Sequence, residues 1–169
     1  MNAKPTRANA PYLVTRDPVV RSANDEEDPY RAAEKPPEPT FCPKCHATYH
    51  GGRWSWDEPP EDSFQQTCPA CQRIHDHFPA GYVTIKGEFF KEHRDEIVQM
   101  IRSHAEAEGQ RRPLQRLMGI EDTKDGVQVT TADSHLARGI GHALLETYKG
   151  DLKMRYSRDE NLVRATWKR

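Results

Sequence analysis

Long apolar segments are missing from this 169-residue chain. A membrane-spanning helix needs about 18 or more consecutive apolar residues, and the sequence contains no such run. Its first residues, MNAKPTRANAP, also lack the apolar core of a secretory signal. We therefore expect a cytoplasmic protein with no membrane partner.

Common catalytic signatures are missing as well. The sequence has no Gly-x-Ser-x-Gly, no phosphate-binding loop ending in Gly-Lys-Ser/Thr and no His-Glu-x-x-His. In many enzymes these motifs present a nucleophile, a nucleotide phosphate or a catalytic zinc. The cysteines are the other candidate nucleophiles, but their spacing assigns all of them to a metal. We therefore predict that the protein is not an enzyme.

Cysteine is scarce, and its placement is the most informative feature of the sequence. The chain has 4 cysteines, and they form two Cys-Pro-x-Cys motifs, Cys42 with Cys45 and Cys68 with Cys71. Cytoplasmic thiols stay reduced, so paired motifs of this kind indicate a metal site before they indicate disulfides. Each motif can present two thiolates from one tight turn, and two such turns complete a tetrahedral zinc site. The sequence predicts that these four cysteines bind Zn2+.

The simplest interpretation of this site is structural, because four thiolates leave no coordination position open for a reaction. A rubredoxin-like iron centre for electron transfer uses similar motifs and is the alternative. Histidines that could replace a ligand lie nearby, at positions 46, 50, 75 and 77. Trp54 and Trp56, two residues apart, are expected to share one face of a strand, either as packing or as a stacking surface.

The sequence divides into three segments. Residues 1–40 hold seven of the 13 prolines and few apolar side chains, which predicts a disordered tail. Residues 41–79 contain both cysteine motifs and predict a zinc ribbon. Residues 80–169 predict a small α+β domain with the element order β-α-β-β-α-β-β. In its first helix, Phe90, Ile97, Ile101 and Ala105 are expected on one face, with the helix ending at Gly109.

The second predicted helix lies in VTTADSHLARGIGHALLETYKG, with Asp133 or Ser134 as its N-cap and Gly150 at its end. Glycine inside a helix costs about 1 kcal/mol relative to alanine, so Gly139 and Gly141 predict a close approach. The approaching group is either a packed element of the protein or an RNA strand.

Positive charge is concentrated at the end of the sequence. Residues 134–169 contain eight Lys and Arg against four Asp and Glu, whereas the net charge of the chain is -1. The periodicity places the cationic side chains on one face of the second helix and one face of the final hairpin. These candidate RNA-binding residues are His135, Arg138, His142, Lys149, Lys153, Arg155, Arg164 and Lys168. Such a face is either a solvated surface or a site for phosphate groups.

The cysteine motifs CPKC and CPAC, the helix VTTADSHLARGIGHAL and the hairpin GDLKMRY with LVRATW together resemble the Nmd-three family. Members of this family are zinc-ribbon adaptors of the large ribosomal subunit, and the resemblance is to its short prokaryotic relatives over residues 41–169. It implies contact with RNA or the ribosome without catalysis, and it carries over the four cysteines as zinc ligands. Eukaryotic members have further Cys-x-x-Cys pairs and export signals, which this sequence lacks, so no export role is implied.

We therefore predict a non-enzymatic zinc protein that contacts RNA, with the large ribosomal subunit as the expected partner. A role under stress or in dormancy is one hypothesis for its use. The competing hypothesis is a protein-interaction adaptor that binds another protein through the zinc ribbon, Trp54 and Trp56. The third is rubredoxin-like electron transfer.

Overall fold

A computed structural model describes residues 35–157 and 161–169, together with Tyr30 and the backbone of residues 13–16. These residues form two sheets and four helices. The strands are β1 (Leu13–Arg16), β2 (Thr40–Phe41), β3 (Thr48–His50), β4 (Arg53–Ser55), β5 (Phe64–Gln65), β6 (Gly81–Lys86), β7 (Leu117–Thr123), β8 (Gly126–Thr131), β9 (Asp151–Ser157) and β10 (Leu162–Lys168). The helices are α1 (Pro69–Asp76), α2 (Glu88–Glu92), α3 (Arg94–Arg111) and α4 (Ser134–Tyr148).

The smaller sheet has the strand order β4-β3-β2-β5, and the larger has the order β1-β9-β10-β6-β8-β7. In the larger sheet, β10 pairs in parallel with β6, whereas β9 with β10, β6 with β8 and β7 with β8 are antiparallel. The α+β class is confirmed. The order of elements in residues 80–169 differs from the predicted one because the first predicted helix is two helices. The boundaries between the three predicted segments stay predictions.

The predicted first helix is divided into α2 and α3, and α3 continues past Gly109 to Arg111. The expectation that Gly109 ends the helix was therefore wrong. The apolar face of this helix was predicted as the structure has it, since Phe90, Ile97, Ile101 and Ala105 are all buried. Helix α4 begins as expected, because the Asp133 carboxylate caps it by accepting bonds from His135 N at 2.9 Å and Leu136 N at 3.1 Å.

One core lies between the larger sheet and helices α3 and α4. Alternate residues of the strands, such as Val83, Val129 and Trp167, are buried on this face together with Ile101 of α3 and Leu144 of α4. Because successive strand side chains point to opposite faces, the residues between them lie on the face turned away from both helices. We call this second surface the open sheet face. It is defined by Tyr82, Thr84, Lys86, Glu121, Gln128, Thr130, Asp151, Lys153, Arg155, Arg164, Thr166 and Lys168.

The two helical glycines have packing partners within the protein. A Cβ at Gly139 would lie 3.1 Å from His104 Nε2 of α3, and one at Gly141 would lie 3.0 Å from Met154 Cε and 3.2 Å from Leu152 Cδ1 of β9. Helix-on-helix and helix-on-sheet packing therefore account for both glycines. Their predicted close approach is confirmed, with protein side chains as the approaching groups.

Most of the predicted tail, residues 1–40, lies outside the described residues, so its disorder stays a prediction. Three parts of it are described: β1 pairs in parallel with β9, the Tyr30 hydroxyl donates to Asp76 Oδ2 at 2.7 Å, and residues 35–40 lead into β2. Within the described parts of the chain, no helix combines the length and the apolar character that a membrane span requires.

Candidate metal centre

The first cysteine motif forms a turn between β2 and β3. Cys42 N donates to Ala47 O at 2.8 Å, and His46 N donates to Cys42 O at 2.8 Å, so the chain folds back on itself across the motif. His46 takes a positive φ of 65° to complete the turn. This conformation aims the thiols of Cys42 and Cys45 toward the second motif.

The second motif opens helix α1, which the sequence analysis did not predict. Cys68 is the N-cap, and its thiol accepts a bond from Cys71 N at 3.4 Å. Pro69 follows at the first helical position, where its missing N–H and fixed φ are tolerated. Cys68 N also donates to Cys42 Sγ at 3.3 Å, which ties the two motifs together.

The four thiols converge on one point. Their Sγ atoms all lie within 4.8 Å of one another, and Cys45 Sγ lies 3.7 Å from Cys68 Sγ. A tetrahedral zinc with Zn–S bonds of about 2.3 Å places its sulfurs about 3.8 Å apart. A disulfide needs about 2.05 Å, and all four cysteines are free. The predicted residues therefore form a group that can hold a metal ion.

Histidine does not contribute to this cluster. Among the residues that the structure describes, the metal-ligating group consists of the four cysteines alone. His46, His50, His75 and His77 are all exposed. His75 instead lies with its Nδ1 2.8 Å from the Asp76 carboxylate.

The centre is shielded from solvent by apolar side chains. Cys42 and Cys68 have no exposed surface, and Ala70 is also buried. Trp54, Leu114 and Met118 pack around the group and leave Cys45 and Cys71 half-buried. Thiolates placed in such surroundings need compensating charge and hydrogen bonds.

Arg116, which was not among the predicted site residues, supplies both. This residue immediately precedes β7, and its Nη2 lies 3.2 Å from Cys68 Sγ, 3.3 Å from Cys71 Sγ and 3.6 Å from Cys45 Sγ. Its Nε donates to Pro113 O at 2.9 Å, which fixes the direction of the side chain. Sequence offered no signal for this role, because Arg116 is 45 residues from the nearest of the three cysteines.

The environment shifts the thiol pKa values in opposite directions. Burial and the neighbouring thiolates raise the pKa of Cys68, although the backbone N–H of Cys71 opposes the shift. Burial also disfavours the Cys42 thiolate, but backbone N–H donors from Cys68, Cys45 and Lys44 outweigh it and lower the pKa of Cys42 to about 7. Four adjacent thiolates repel one another, and a bound divalent cation is what holds coordinating thiols deprotonated.

Arg116 remains a cation in this site. Burial alone would lower its pKa, but the hydrogen bond to Cys71 and the charges of Cys68, Cys71 and Cys45 raise it instead. A four-thiolate zinc centre carries two excess negative charges, so a guanidinium against three of its sulfurs offsets part of that charge.

Trp54 packs beside the four-cysteine cluster, and its ring centroid lies 5.4 Å from that of Tyr49. Trp56 is 43% exposed, and its Nε1 donates to Gly109 O at 2.7 Å near the end of α3. Trp54 therefore packs inside the ribbon, whereas Trp56 links the ribbon to α3.

The candidate RNA-binding residues fall into two groups on opposite sides of the molecule. His135, Arg138 and His142 lie on α4, on the side that faces away from the sheet, and Lys149 immediately follows the helix. Lys153, Arg155, Arg164 and Lys168 are exposed and lie on the open sheet face. Since α4 packs against Leu152 and Met154 on the other face of the sheet, the cationic face of the helix and that of the hairpin are two separate surfaces.

Comparison of this chain with known protein families, curated proteins and solved structures finds no match. The resemblance to the Nmd-three family therefore stays a prediction. The four-cysteine group, completed by Arg116, is the feature of the site that the structure establishes.

Proposed function

We propose that this protein is a non-enzymatic zinc-ribbon protein that contacts RNA, with the large ribosomal subunit as the expected partner. The observation that supports the RNA part of the proposal is the exposure of Lys153, Arg164 and Lys168 on the hairpin of β9 and β10. Exposed charges of this kind add little to folding stability. Phosphate groups are the partners that a cluster of Lys and Arg binds without regard to sequence.

Zinc in this proposal has a structural role. Four cysteines can fill a tetrahedral shell, which would leave no coordination position on the metal for a substrate. The ribbon strands are two or three residues long, too short to form a stable sheet unaided. The metal then supplies the stability that so small a segment lacks.

Cosedimentation tests the RNA proposal. Zinc-loaded protein is centrifuged through a sucrose cushion with purified ribosomal particles, with and without nuclease, at about 50 and 200 mM salt. We expect pelleting at low salt that nuclease removes and that weakens steeply at the higher salt, as counterion release requires. Protein that stays in the supernatant at low salt would contradict the proposal.

A protein-interaction adaptor is the second candidate, and exposed apolar side chains favour it. Phe64 is 55% exposed, Phe78 50%, Trp56 43% and Ile74 37%. All four lie within residues 56–78, and exposed apolar side chains that form one patch often mark protein interfaces. If this candidate is right, partner capture fails when Phe64 and Phe78 are replaced by serine but survives replacement of Lys153 and Arg164 by glutamine.

A rubredoxin-like iron centre would use the same four thiolates. Iron held by four cysteines absorbs in the visible range, whereas zinc has a filled d shell and gives a colourless protein. The visible spectrum of the purified protein separates these two alternatives directly.

A further inference from the structure

We propose that the open sheet face, rather than the outer side of α4, is the RNA-binding surface, and that it takes a single strand. This inference rests on the RNA-binding function proposed above and assigns that function to a surface. Its basis is the alignment of cationic and aromatic side chains across neighbouring strands.

The strand register places these side chains in rows. Arg164 is opposite Arg155 on one side and Tyr82 on the other, and Thr166 is opposite Lys153 and Thr84. A third row runs from Asp151 through Lys168 to Lys86. Neighbouring strands lie about 4.8 Å apart, so each row forms a short track of polar groups across β9, β10 and β6.

The face is cationic across these three strands. Five of its side chains are cations (Lys86, Lys153, Arg155, Arg164 and Lys168), whereas Asp151 is the only acidic side chain that β6, β9 and β10 add to it. Lys86 and Lys168 lie directly opposite each other, and like charges in that position destabilise a sheet. A phosphate between them would relieve the repulsion, which is the charge complementarity that RNA offers.

The aromatic ring of Tyr82 lies among these cationic side chains. It lies on β6, inside the sheet, and is half-buried, with the Arg164 guanidinium carbon 4.4 Å from its ring centroid. Both an aromatic ring and a guanidinium plane stack on nucleobases. Thr84, Thr166 and Gln128 add hydroxyl and amide groups beside them. Only unpaired bases can reach such a ring, so the surface fits a single strand and not a duplex.

Two of the basic side chains on the outer side of α4 have partners within the protein. His135 Nδ1 lies 3.6 Å from the Asp133 carboxylate, and Lys149 Nζ donates to Glu146 O at 3.0 Å. His142 is half-buried, and burial together with the nearby Arg138 lowers its pKa, which favours the neutral ring. Arg138 is then the principal exposed cation of this surface.

Fluorescence anisotropy with a labelled single-stranded RNA 12-mer of mixed sequence tests the assignment on the zinc-loaded full chain. The sheet variant carries Lys153→Gln, Arg164→Gln and Lys168→Gln, and the matched helix variant carries His135→Gln, Arg138→Gln and Lys149→Gln. We expect the sheet variant to raise Kd at least about tenfold and to reduce the slope of log K against log salt by about 2, since each lost single-strand phosphate contact removes about 0.7. The helix variant should change Kd less than about threefold, because its three replaced side chains make no phosphate contact if the sheet is the binding surface.

Tyr82 gives an independent measurement. Loss of one base-stacking ring weakens single-strand binding by about five- to hundredfold, so Tyr82→Leu should bind worse within that range, and Tyr82→Phe should bind as the wild type does. Zinc content and the urea unfolding midpoint of each variant establish that it is folded.

The outcomes separate the two proposals. If the wild type binds no RNA at about 50 mM salt, the RNA function itself fails and the surface assignment fails with it. If the wild type binds but the helix variant loses affinity while the sheet variant keeps it, the assignment is overturned and the RNA function stands. Equal affinity for a duplex of the same sequence would overturn the single-strand part.

Discussion

Arg116 Nη2 lies 3.2 Å from Cys68 Sγ, and this contact joins the four-cysteine cluster to the larger sheet. The arginine immediately precedes β7, whereas the cysteine opens α1 in the ribbon. A residue outside the ribbon therefore helps to neutralise the thiolates that hold the ribbon together. Metal binding and the docking of the ribbon onto the sheet should consequently stabilise each other.

Replacing Arg116 with methionine should weaken zinc binding. The side chain keeps much of its bulk but loses the charge and the N–H···S bonds to three cysteines. Outer-shell partners of metal ligands typically contribute about 10- to 100-fold in affinity, and we expect a loss of that size. Competition with a chromogenic zinc chelator measures it.

Arg112→Met is the matched control, because Arg112 is exposed and lies in the same connection between α3 and β7. It should leave the zinc affinity unchanged. Equal zinc affinity for Arg116→Met and the wild type would show that the guanidinium contact does not contribute to metal binding.

Removing the metal should unfold the ribbon and leave the larger sheet intact. The ribbon packs around the cysteine cluster, whereas β6, β8 and β10 are held by the separate core against α3 and α4. In chelated protein or in Cys68→Ser, we expect fast amide exchange in β3, β4 and α1 and slow exchange in β6, β8 and β10. Uniform loss of protection across both sheets would mean that the two parts do not fold separately.

Gly81→Ala should destabilise the protein through a direct clash. A Cβ at Gly81 would overlap Ala137 Cβ of α4 and Thr131 Oγ1 of β8. Overpacking of this kind costs about 1–3 kcal/mol, measurable as a lower free energy of unfolding in urea. Gly119→Ala is the control, because the nearest side-chain atom, Thr130 Oγ1, would lie at 3.5 Å, and its cost should stay within about 0.5 kcal/mol. Similar losses at the two positions would speak against the packing of α4 described above.

A comparison of Trp167 with Trp56 distinguishes the contribution of burial to stability from the contribution of a hydrogen bond. Each indole donates to a backbone carbonyl at 2.7 Å, Trp167 to Lys149 and Trp56 to Gly109. Trp167 is 0% exposed, whereas Trp56 is 43% exposed. Trp167→Ala should therefore cost about 3–5 kcal/mol of unfolding free energy, and Trp56→Ala clearly less. Comparable losses would indicate that the carbonyl bond, and not burial, dominates both positions.

Periodicity and motif spacing in the sequence were sufficient to predict the cysteine cluster and the buried faces of the helices. The four cysteines converge because a Cys-Pro-x-Cys turn is a local structure that sequence specifies, and the apolar faces of α3 and α4 follow from their 3.6-residue period. Asp133 was foreseeable as an N-cap for the same local reason.

Features that depend on tertiary contacts were not foreseeable. Arg116 reaches the cysteines only because β7 passes beside the ribbon, and no local pattern encodes that placement. The periodicity placed the cations on one face of α4 and on one face of the hairpin, but it did not show how these two faces are placed relative to each other. They separate because α4 covers the sheet face that carries Leu152 and Met154, which turns Lys153 and its neighbours to the other side.

The zinc content of the purified protein tests the central claim most directly. Native mass spectrometry of protein prepared without added metal should show one zinc per chain, because four thiolates make one tetrahedral site, and Cys68→Ser should lose it. Iron in that amount, a metal-free wild type, or a mass lowered by disulfide formation would contradict the account.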